Sequence, residues 1–367
     1  MKVLFDYEIF LIQKYGGATR YFYEIISRLV QMSNIEIILY MGYHINKYEL
    51  DNFKDKYLKF SGKKIPLIPK TKLISTKLHK PFFESFRKKT DYDIFHHTYY
   101  ADYKKKKGTK DIVTVHDFTH EKYSNVFSGI DKTINAKEKA IKNADGIICI
   151  SNATKNDLLR LYKISEEKIR VIYHGNSLNY ELKEDALFKK PYLLYIGDRR
   201  AYKNFNIVLL AFKNSDFIKS NFSLLCFGGG DLKSSEKTII NEYGLSNKVF
   251  QTEGSDKELA NAYKYATAFI YPSLYEGFGI PLLEAMHYGC PIVTSNSSCF
   301  PEIAGDAAEY FNPNSFEDLI IKIEKLINDK EARTHLINNG YKREKQFSWK
   351  KCANETLEFY KTVNSQT

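Results

Sequence analysis

Tyr271-Pro-Ser-Leu-Tyr-Glu-Gly-Phe-Gly-Ile-Pro-Leu-Leu-Glu-Ala-Met-His-Tyr-Gly-Cys-Pro291 is the stretch on which the fold turns. The apolar run 268–271 reads as a strand, and Pro272 and Ser273 start a loop. Pro281 suits the first turn of a helix that continues through Leu282–His287. Gly277 and Gly279 let backbone approach a ligand closely. A glycine-flanked helix N-terminus presents N–H groups and a partial positive charge, an environment that suits a diphosphate. Glu276 stands before the turn and Glu284 about one turn into the helix, where both carboxylates suit hydrogen bonds from sugar or ribose hydroxyls. An ordinary strand–loop–helix junction with two surface glutamates is the plainer alternative, and spacing alone does not choose between them.

Outward from this stretch, short β-rich runs alternate with helical patterns. Strands are expected at 3–5, 35–40, 112–115 and 146–150, and again at 192–196, 223–227, 249–251, 268–271 and 292–294. Helices are expected at 19–30, where Phe22, Ile25, Ile26 and Leu29 recur at helical spacing, at 206–212, and at 348–360. Strand–helix alternation with nearly continuous apolar strands predicts an α/β chain with parallel sheets covered on both faces. The polar stretch 181–190 divides it into two Rossmann-like blocks. Ligands of such sheets sit at the carboxyl ends of the strands.

The length of 367 residues agrees with two domains. With 43% hydrophobic and 27% charged residues, the chain is neither disordered nor membrane-embedded in composition. Its net charge of +11 is unevenly spread. Residues 1–180 hold 32 basic and 20 acidic side chains, and residues 47–110 alone hold 18 and 7, so this segment accounts for the whole excess. Nucleic acid, an anionic membrane surface and an acidic small molecule are the partners such a charge allows, beside a merely solvated lysine-rich surface. Five scattered cysteines, none in C-x-x-C, read as small core hydrophobes of a reducing compartment. Asp6 and Glu8 interrupt the apolar N-terminal run, which reads as a strand rather than a signal peptide. No stretch approaches the ~18–20 apolar residues of a membrane span. The expectation is a cytoplasmic protein, peripheral on the membrane at most.

The motifs also carry a resemblance. Glu276-x7-Glu284 around Gly-Phe-Gly-Ile-Pro is similar to the signature of the retaining GT-B glycosyltransferases of family 4. Gly16-Gly17 with Arg20-Tyr21 resembles that family's N-terminal glycine loop, and Thr114-Val-His-Asp117 its His-Asp motif. Ile150-Ser-Asn152 and Val171-Ile-Tyr-His-Gly175 resemble the end of its N-terminal domain. Tyr195-Ile-Gly-Asp-Arg-Arg-Ala-Tyr-Lys-Asn204 is similar to its phosphate loop, and Pro301–Ala308 to a stretch after the signature. The order is kept over almost the entire chain.

The resemblance implies two Rossmann-like domains facing a central cleft. Residues 1–185, joined by a returning C-terminal helix 350–367, would hold the acceptor, and residues 186–349 the nucleotide sugar. It implies transfer of a hexose with retention, without metal or other cofactor, to a glycan or lipid-linked acceptor. Bacterial mannosyltransferases of polysaccharide assembly are the most similar members, which points to GDP-mannose, with a UDP-hexose as the alternative. Carried over residue by residue, His116, Lys203 and Glu276 would be catalytic. His116 would position the donor sugar, Lys203 would neutralise the departing diphosphate, and Glu276 would hold sugar hydroxyls. Glu284 would hold the ribose, the backbone at Gly277, Phe278, Gly279 and Leu282 would line the donor, and Gly16 and Gly17 would let the N-terminal loop close. Many members have Gly-Arg where this chain has Gly197-Asp198, so Arg199 or Arg200 would replace the phosphate-binding arginine, with Arg199 the nearer. The resemblance also implies front-face attack with the leaving diphosphate taking the acceptor proton, an expectation in keeping with the lack of a carboxylate matched to a nucleophile role.

Rival readings exist for several features. His96, His97, His116 and His120 with Asp117 have the donor types of a zinc site but fit no compact spacing, and His96 and His97 would face opposite ways on a strand. Gly228-Gly229-Gly230 lacks the spacing of a dinucleotide fingerprint. A catalytically dead carbohydrate-binding GT-B protein and a nucleic-acid binder are the rival classes, and no nucleic-acid motif is present. Finally, Pro81–Lys89 mixes aromatic and basic residues on a short helical stretch, a pattern that suits an anionic membrane or an acidic acceptor.

Overall fold

A computed structural model describes residues 1–65, 71–127, 129–182 and 185–366, with side chains described for all of these except 71–78. Residues 66–70 of the basic segment 47–110, residues 183–184 of the polar stretch, and the last residue of the expected C-terminal helix lie outside the described residues.

The chain forms two compact units, one of residues 1–122, 127–174 and 349–367, the other of 123–126 and 175–348. The first unit holds a sheet of seven strands: β1 Lys2–Phe5, β2 Glu36–His44, β3 Lys59–Lys64, β4 Ile94–His97, β5 Lys110–Val115, β6 Gly146–Cys149 and β7 Ile169–Val171. All pairs are parallel, in the order β3-β2-β1-β4-β5-β6-β7. The second holds six: β8 Tyr192–Ile196, β9 Ser223–Phe227, β10 Val249–Thr252, β11 Ala268–Tyr271, β12 Ile292–Ser295 and β13 Glu309–Phe311. They too are parallel throughout, in the order β10-β9-β8-β11-β12-β13.

Each sheet reverses direction of growth beside its first strand, between β1 and β4 and between β8 and β11. At such a switch point the loops leaving neighbouring strands diverge to opposite faces and open a crevice at the carboxyl ends. The two motif-bearing loops of the second unit leave β8 and β11, so the topology places them side by side. Central strands such as β4, β6, β9 and β11 are buried at every residue, as helices on both faces require. Leu193, Leu224, Ile270 and Val293 of the second sheet pack with Val208, Phe212, Leu319 and Ile323 from its helices.

The strands β3, β7 and β13 carry weak sequence signals for a physical reason. β3 is an exposed edge of polar sequence Lys-Phe-Ser-Gly-Lys-Lys, and β7 and β13 span three residues each. The last helix, Trp349–Ser365, belongs to the first unit and packs on the helix Gly17–Leu29. Tyr360 Oη lies 2.6 Å from His96 Nδ1. A Cβ on Gly146 would come within 2.8 Å of Val363 Cγ2, so this helix seats directly on the start of β6. The division between units falls at 174/175, earlier than the expected 185/186, because Tyr180 N donates to Tyr288 Oη at 2.8 Å and Leu178 is buried.

All five cysteines are free and buried. Among the described residues, no helix is long and apolar enough to cross a membrane. The stretch Pro81–Lys89 follows the helix Thr71–Lys88 to its end, and two of its residues expected at the surface are core. Phe83 is buried, and Arg87 stacks over Phe95 and Tyr103 while donating to Lys104 O at 2.6 Å. Phe82, Lys88 and Lys89 remain exposed.

Candidate functional site

In the second unit the loops after β8 and β11 are joined by an ion pair. Lys203 Nζ donates to Glu276 Oε1 at 2.6 Å, and Ser273 Oγ donates to the same oxygen at 2.8 Å. Leu274 N donates to Tyr202 O at 2.8 Å, and Asn204 Nδ2 reaches Pro272 O and Pro313 O at 3.2 and 2.8 Å. Asn204 has φ 56° and caps the helix Phe205–Asn214, a left-handed position that asparagine tolerates better than most side chains. The Lys203-Asn204 pair therefore divides its labour: Asn204 ties the loops, and Lys203 carries charge to the switch point. Burial works against that charge, yet Glu276, with Tyr202 and Asp198, holds the Lys203 pKa above the ordinary lysine value.

Glu276 is braced from the other side by Ser298, whose Oγ donates to Glu276 O at 2.6 Å from a backbone with φ 56°. The helix that follows, Ile280–His287, starts at Gly279 with φ 88°. A Cβ there would meet Leu282 Cδ1 and Phe300 Cε1 at 3.3 Å. Glu284 is buried, and its Oε2 accepts from Tyr263 Oη at 2.9 Å. Phe278 is buried with its ring 5.9 Å from Phe347. Leu282 is wholly buried and its N–H already serves Gly279 O at 2.9 Å, so its part is to support Gly279 rather than to line a ligand.

Arg199 requires a correction. Its side chain is 1% exposed, and all its guanidinium nitrogens are engaged within the protein. Nε donates to Glu236 Oε2 at 3.2 Å, Nη1 to Gly228 O and Gln251 Oε1 at 3.3 and 3.2 Å, and Nη2 to Gly230 O and Asp231 O at 2.7 and 3.0 Å. Arg199 is a clamp on the Gly228–Gly230 loop, not a donor to a phosphate. That loop takes φ of 72°, 77° and 74°, and a Cβ on Gly229 would lie 2.2 Å from Gly197 O. Only glycine allows two backbones this close. Gln251 is drawn into the same clamp, with Nε2 donating to Gly228 O and Thr252 O. Arg200 is 48% exposed, with Nε 3.4 Å from Asp198 Oδ2, and is the arginine that faces solvent on this loop.

In the first unit, His116 follows β5. Its ring meets Tyr21 edge-on at 5.3 Å and Phe22 at 6.1 Å, and its buried Nε2 has no hydrogen-bond partner. Burial first, and Lys137 next in the same direction against the pull of Asp117, take the His116 pKa down to about 4, so the ring is neutral. Behind it Thr114 Oγ1 lies 2.8 Å from His96 Nε2 and 3.1 Å from Tyr21 Oη. His96 and His97 face opposite sides of β4, His97 stacking on Phe95 at 4.0 Å. Among the described residues, no cluster of three or more His, Cys, Asp or Glu is arranged to hold a metal. Gly16 caps the helix Gly17–Leu29, and an added Cβ would meet only the flexible end of Gln13, while at Gly17 it would meet nothing within 4 Å. Packing within the unit therefore does not demand these two glycines. The braces Ser273, Ser298 and Tyr263 went unforeseen, because nothing in linear spacing ties them to the glutamates they hold.

Comparison with known proteins places both units in one family. Residues 15–179 match the model of "Glycosyltransferase Family 4" and residues 181–343 that of "Glycosyl transferases group 1". O-antigen chain mannosyltransferase B of Escherichia coli is 28% identical over 61% of this chain and 62% of its own, and O-antigen chain mannosyltransferase RfbU of Salmonella typhimurium 32% over 58% and 61%. The matches thus span about three fifths of those relatives' lengths. Sucrose-phosphate synthase of Thermosynechococcus elongatus, at 19% identity, superposes with a TM-score of 0.79 over 100% of both chains. With one of these models on each doubly wound unit, the chain belongs to the family 4 glycosyltransferases of GT-B fold.

Proposed function

We propose that the protein is a retaining hexosyltransferase that moves mannose from GDP-mannose to a glycan or lipid-linked acceptor. The observation that carries this reading is the Lys203–Glu276 pair at the switch point of the second sheet, beside a glycine-started helix. A donor's diphosphate fits the helix N-terminus and draws on Lys203, whose charge then offsets the negative charge that grows as the glycosidic bond breaks. Glu276 then exchanges the lysine for sugar hydroxyls, held in place by Ser273 and Ser298. Glu284, held by Tyr263, takes the ribose. The clamp on Gly228–Gly230 leaves Arg200 as the loop's second cation for the phosphates. His116, neutral near pH 7, serves as a hydrogen-bonding group for the donor sugar rather than as a charge.

Front-face attack is the mechanism we favour. The two glutamates of the signature are assigned to hydroxyls, Glu276 to those of the sugar and Glu284 to those of the ribose, and the leaving diphosphate is left as the base for the acceptor hydroxyl. Trapping of a sugar covalently on any side chain would sink this mechanism. Metal independence follows from the family resemblance, and turnover unchanged by EDTA is its expected sign. The choice of mannose rests on the likeness to the two O-antigen mannosyltransferases.

A thermal-shift screen against GDP-, UDP- and ADP-sugars tests the donor, because a ligand of the native state raises its stability by mass action. The largest shift is expected with GDP-mannose. A larger one with UDP-glucose or UDP-GlcNAc selects the UDP-hexose reading, and binding without turnover selects an inactive carbohydrate-binding protein. For the acceptor side, we propose peripheral contact with an anionic membrane through the basic segment 47–110. Support comes from Phe82, 60% exposed, which shares a surface groove with exposed Lys63 and with Tyr43 just before the segment.

A further inference from the structure

The turn that carries His116 is held by a buried cation. Lys137, on the helix Asp131–Asn143, is 1% exposed, a place where a lysine survives only if its charge is met. Nζ donates to Asp117 O at 2.6 Å and to Glu121 Oε2 at 3.1 Å, with Oε1 at 3.0 Å. The rings of Phe118 and Tyr100 lie 4.4 and 5.2 Å from it. Tyr100 Oη accepts from His116 N at 3.4 Å, and Asp117 Oδ1 accepts from Thr119 N at 2.9 Å.

A lysine that served only to neutralise Glu121 would need no second partner. Here the shorter bond goes to the main chain one residue after His116, and an aromatic ring under the ammonium holds the amide of His116 itself. One cation thus fastens the turn from both ends, to the helix Thr119–Lys122 through Glu121 and to the strand-end residues through Asp117 and Tyr100. Its charge also acts on the imidazole in the same direction as burial, toward the neutral ring.

We propose that Lys137 is a positioning residue for His116, fixing the turn on which the imidazole is presented to the donor sugar. The proposal rests on the reading that His116 serves the transfer. Two measurements test it, on wild type, K137M, K137R, H116A and the double variant K137M/H116A. One is the His116 ring resonance of the ligand-free protein, assigned by its loss in H116A. The other is nucleotide release from GDP-mannose, with UDP-glucose alongside.

In K137M the His116 resonance is expected to move, and kcat to fall roughly 10- to 100-fold with little change in donor KM. K137R is expected to regain most of this. In the H116A background K137M is expected to cost nothing further, because a residue acting through another is silent once that other is gone. A His116 resonance unmoved in K137M overturns the proposal, and so do K137M and H116A losses that multiply. An H116A enzyme as fast as wild type removes the role of His116 and the proposal with it. A wild type that releases nucleotide from neither donor removes the donor assignment alone, and the resonance then decides the case. If K137M does not fold, the neutral K137Q is read in the same way.

Discussion

The ends of the two sheets are built from different materials. At the switch point of the second unit the side chains are charged and paired, Lys203 with Glu276 and Arg199 with Glu236. At the strand ends of the first unit imidazoles and aromatic rings predominate, with His96, His116 and His174 among Tyr21, Phe22 and Trp349, and the charges of Asp6 and of the Lys137–Glu121 pair are buried beside them. Burial lowers the pKa of all three histidines. The difference matches the ligands proposed for each unit. A diphosphate needs cations already in place, since reorienting them at the moment of bond breaking costs barrier height. An acceptor hydroxyl brings no charge to offset and is served by shape and neutral hydrogen-bonding groups.

The contrast is open to attack at its strongest point first. Arg199→Ala removes a cation whose side chain is almost fully buried and takes a donor from Glu236 and from the carbonyls of Gly230 and Asp231. The expected loss is about 3–5 kcal/mol of stability by urea unfolding. Arg200→Ala, on an exposed side chain, is expected within ±0.5 kcal/mol of wild type in the same experiment, with weaker donor binding. A reversal of the two would undo the assignment of Arg199 as clamp. Lys203→Ala and Glu276→Ala are expected to lower turnover about 10²- to 10³-fold, the scale of losing one preorganised electrostatic group. Near-normal turnover in either would show that the ionic end of the second sheet is not where the chemistry happens.

The neutral end of the first unit predicts a pH dependence. In the unfolded chain the three imidazoles take up protons as pH falls through about 6.5, while in the fold they resist, His116 down to about 4. Proton uptake then favours unfolding, so their contribution is intact above pH 6.5 and is lost as pH falls from there toward 4. Asp6 acts the other way. Burial, reinforced by Glu8, raises its pKa to about 7, so the folded form gains a proton below pH 7 that the unfolded carboxyl takes up only near pH 4. Three imidazoles against one carboxyl leave a net loss, and the urea midpoint is expected to be lower at pH 5 than at pH 7.5. A midpoint that rises on acidification would contradict the picture of a neutral, dehydrated histidine cluster. The smallest effect expected is on the surface. Flotation with anionic vesicles is expected to weaken with added salt and with Phe82→Ser, and vesicle binding that ignores both would leave the basic segment as a solvated surface.

Much of this protein was legible in the chain itself. The alternation of short apolar runs with helical spacing settled the two doubly wound sheets, because a strand covered on both faces must be apolar at nearly every position. The glycine and proline punctuation around Glu276 located the ligand-binding end of the second sheet, since few residues other than glycine accept the φ of 88° at Gly279. What spacing could not convey was partnership. Arg199 and Arg200 are adjacent and chemically alike, yet one is swallowed by the Gly228–Gly230 loop and the other faces water. That choice depends on carbonyls some thirty residues away, brought within reach only by the pairing of β8 with β9. Phe83 and Phe82 part in the same way, one into the core and one outward, according to which face of their helix meets the sheet. Lys137 carries no signal at all until Asp131–Asn143 packs against the turn after β5. Composition and period depend on solvent and backbone, which every residue meets locally. The work done by a given charge depends on its neighbours in space, and those only the tertiary structure assigns.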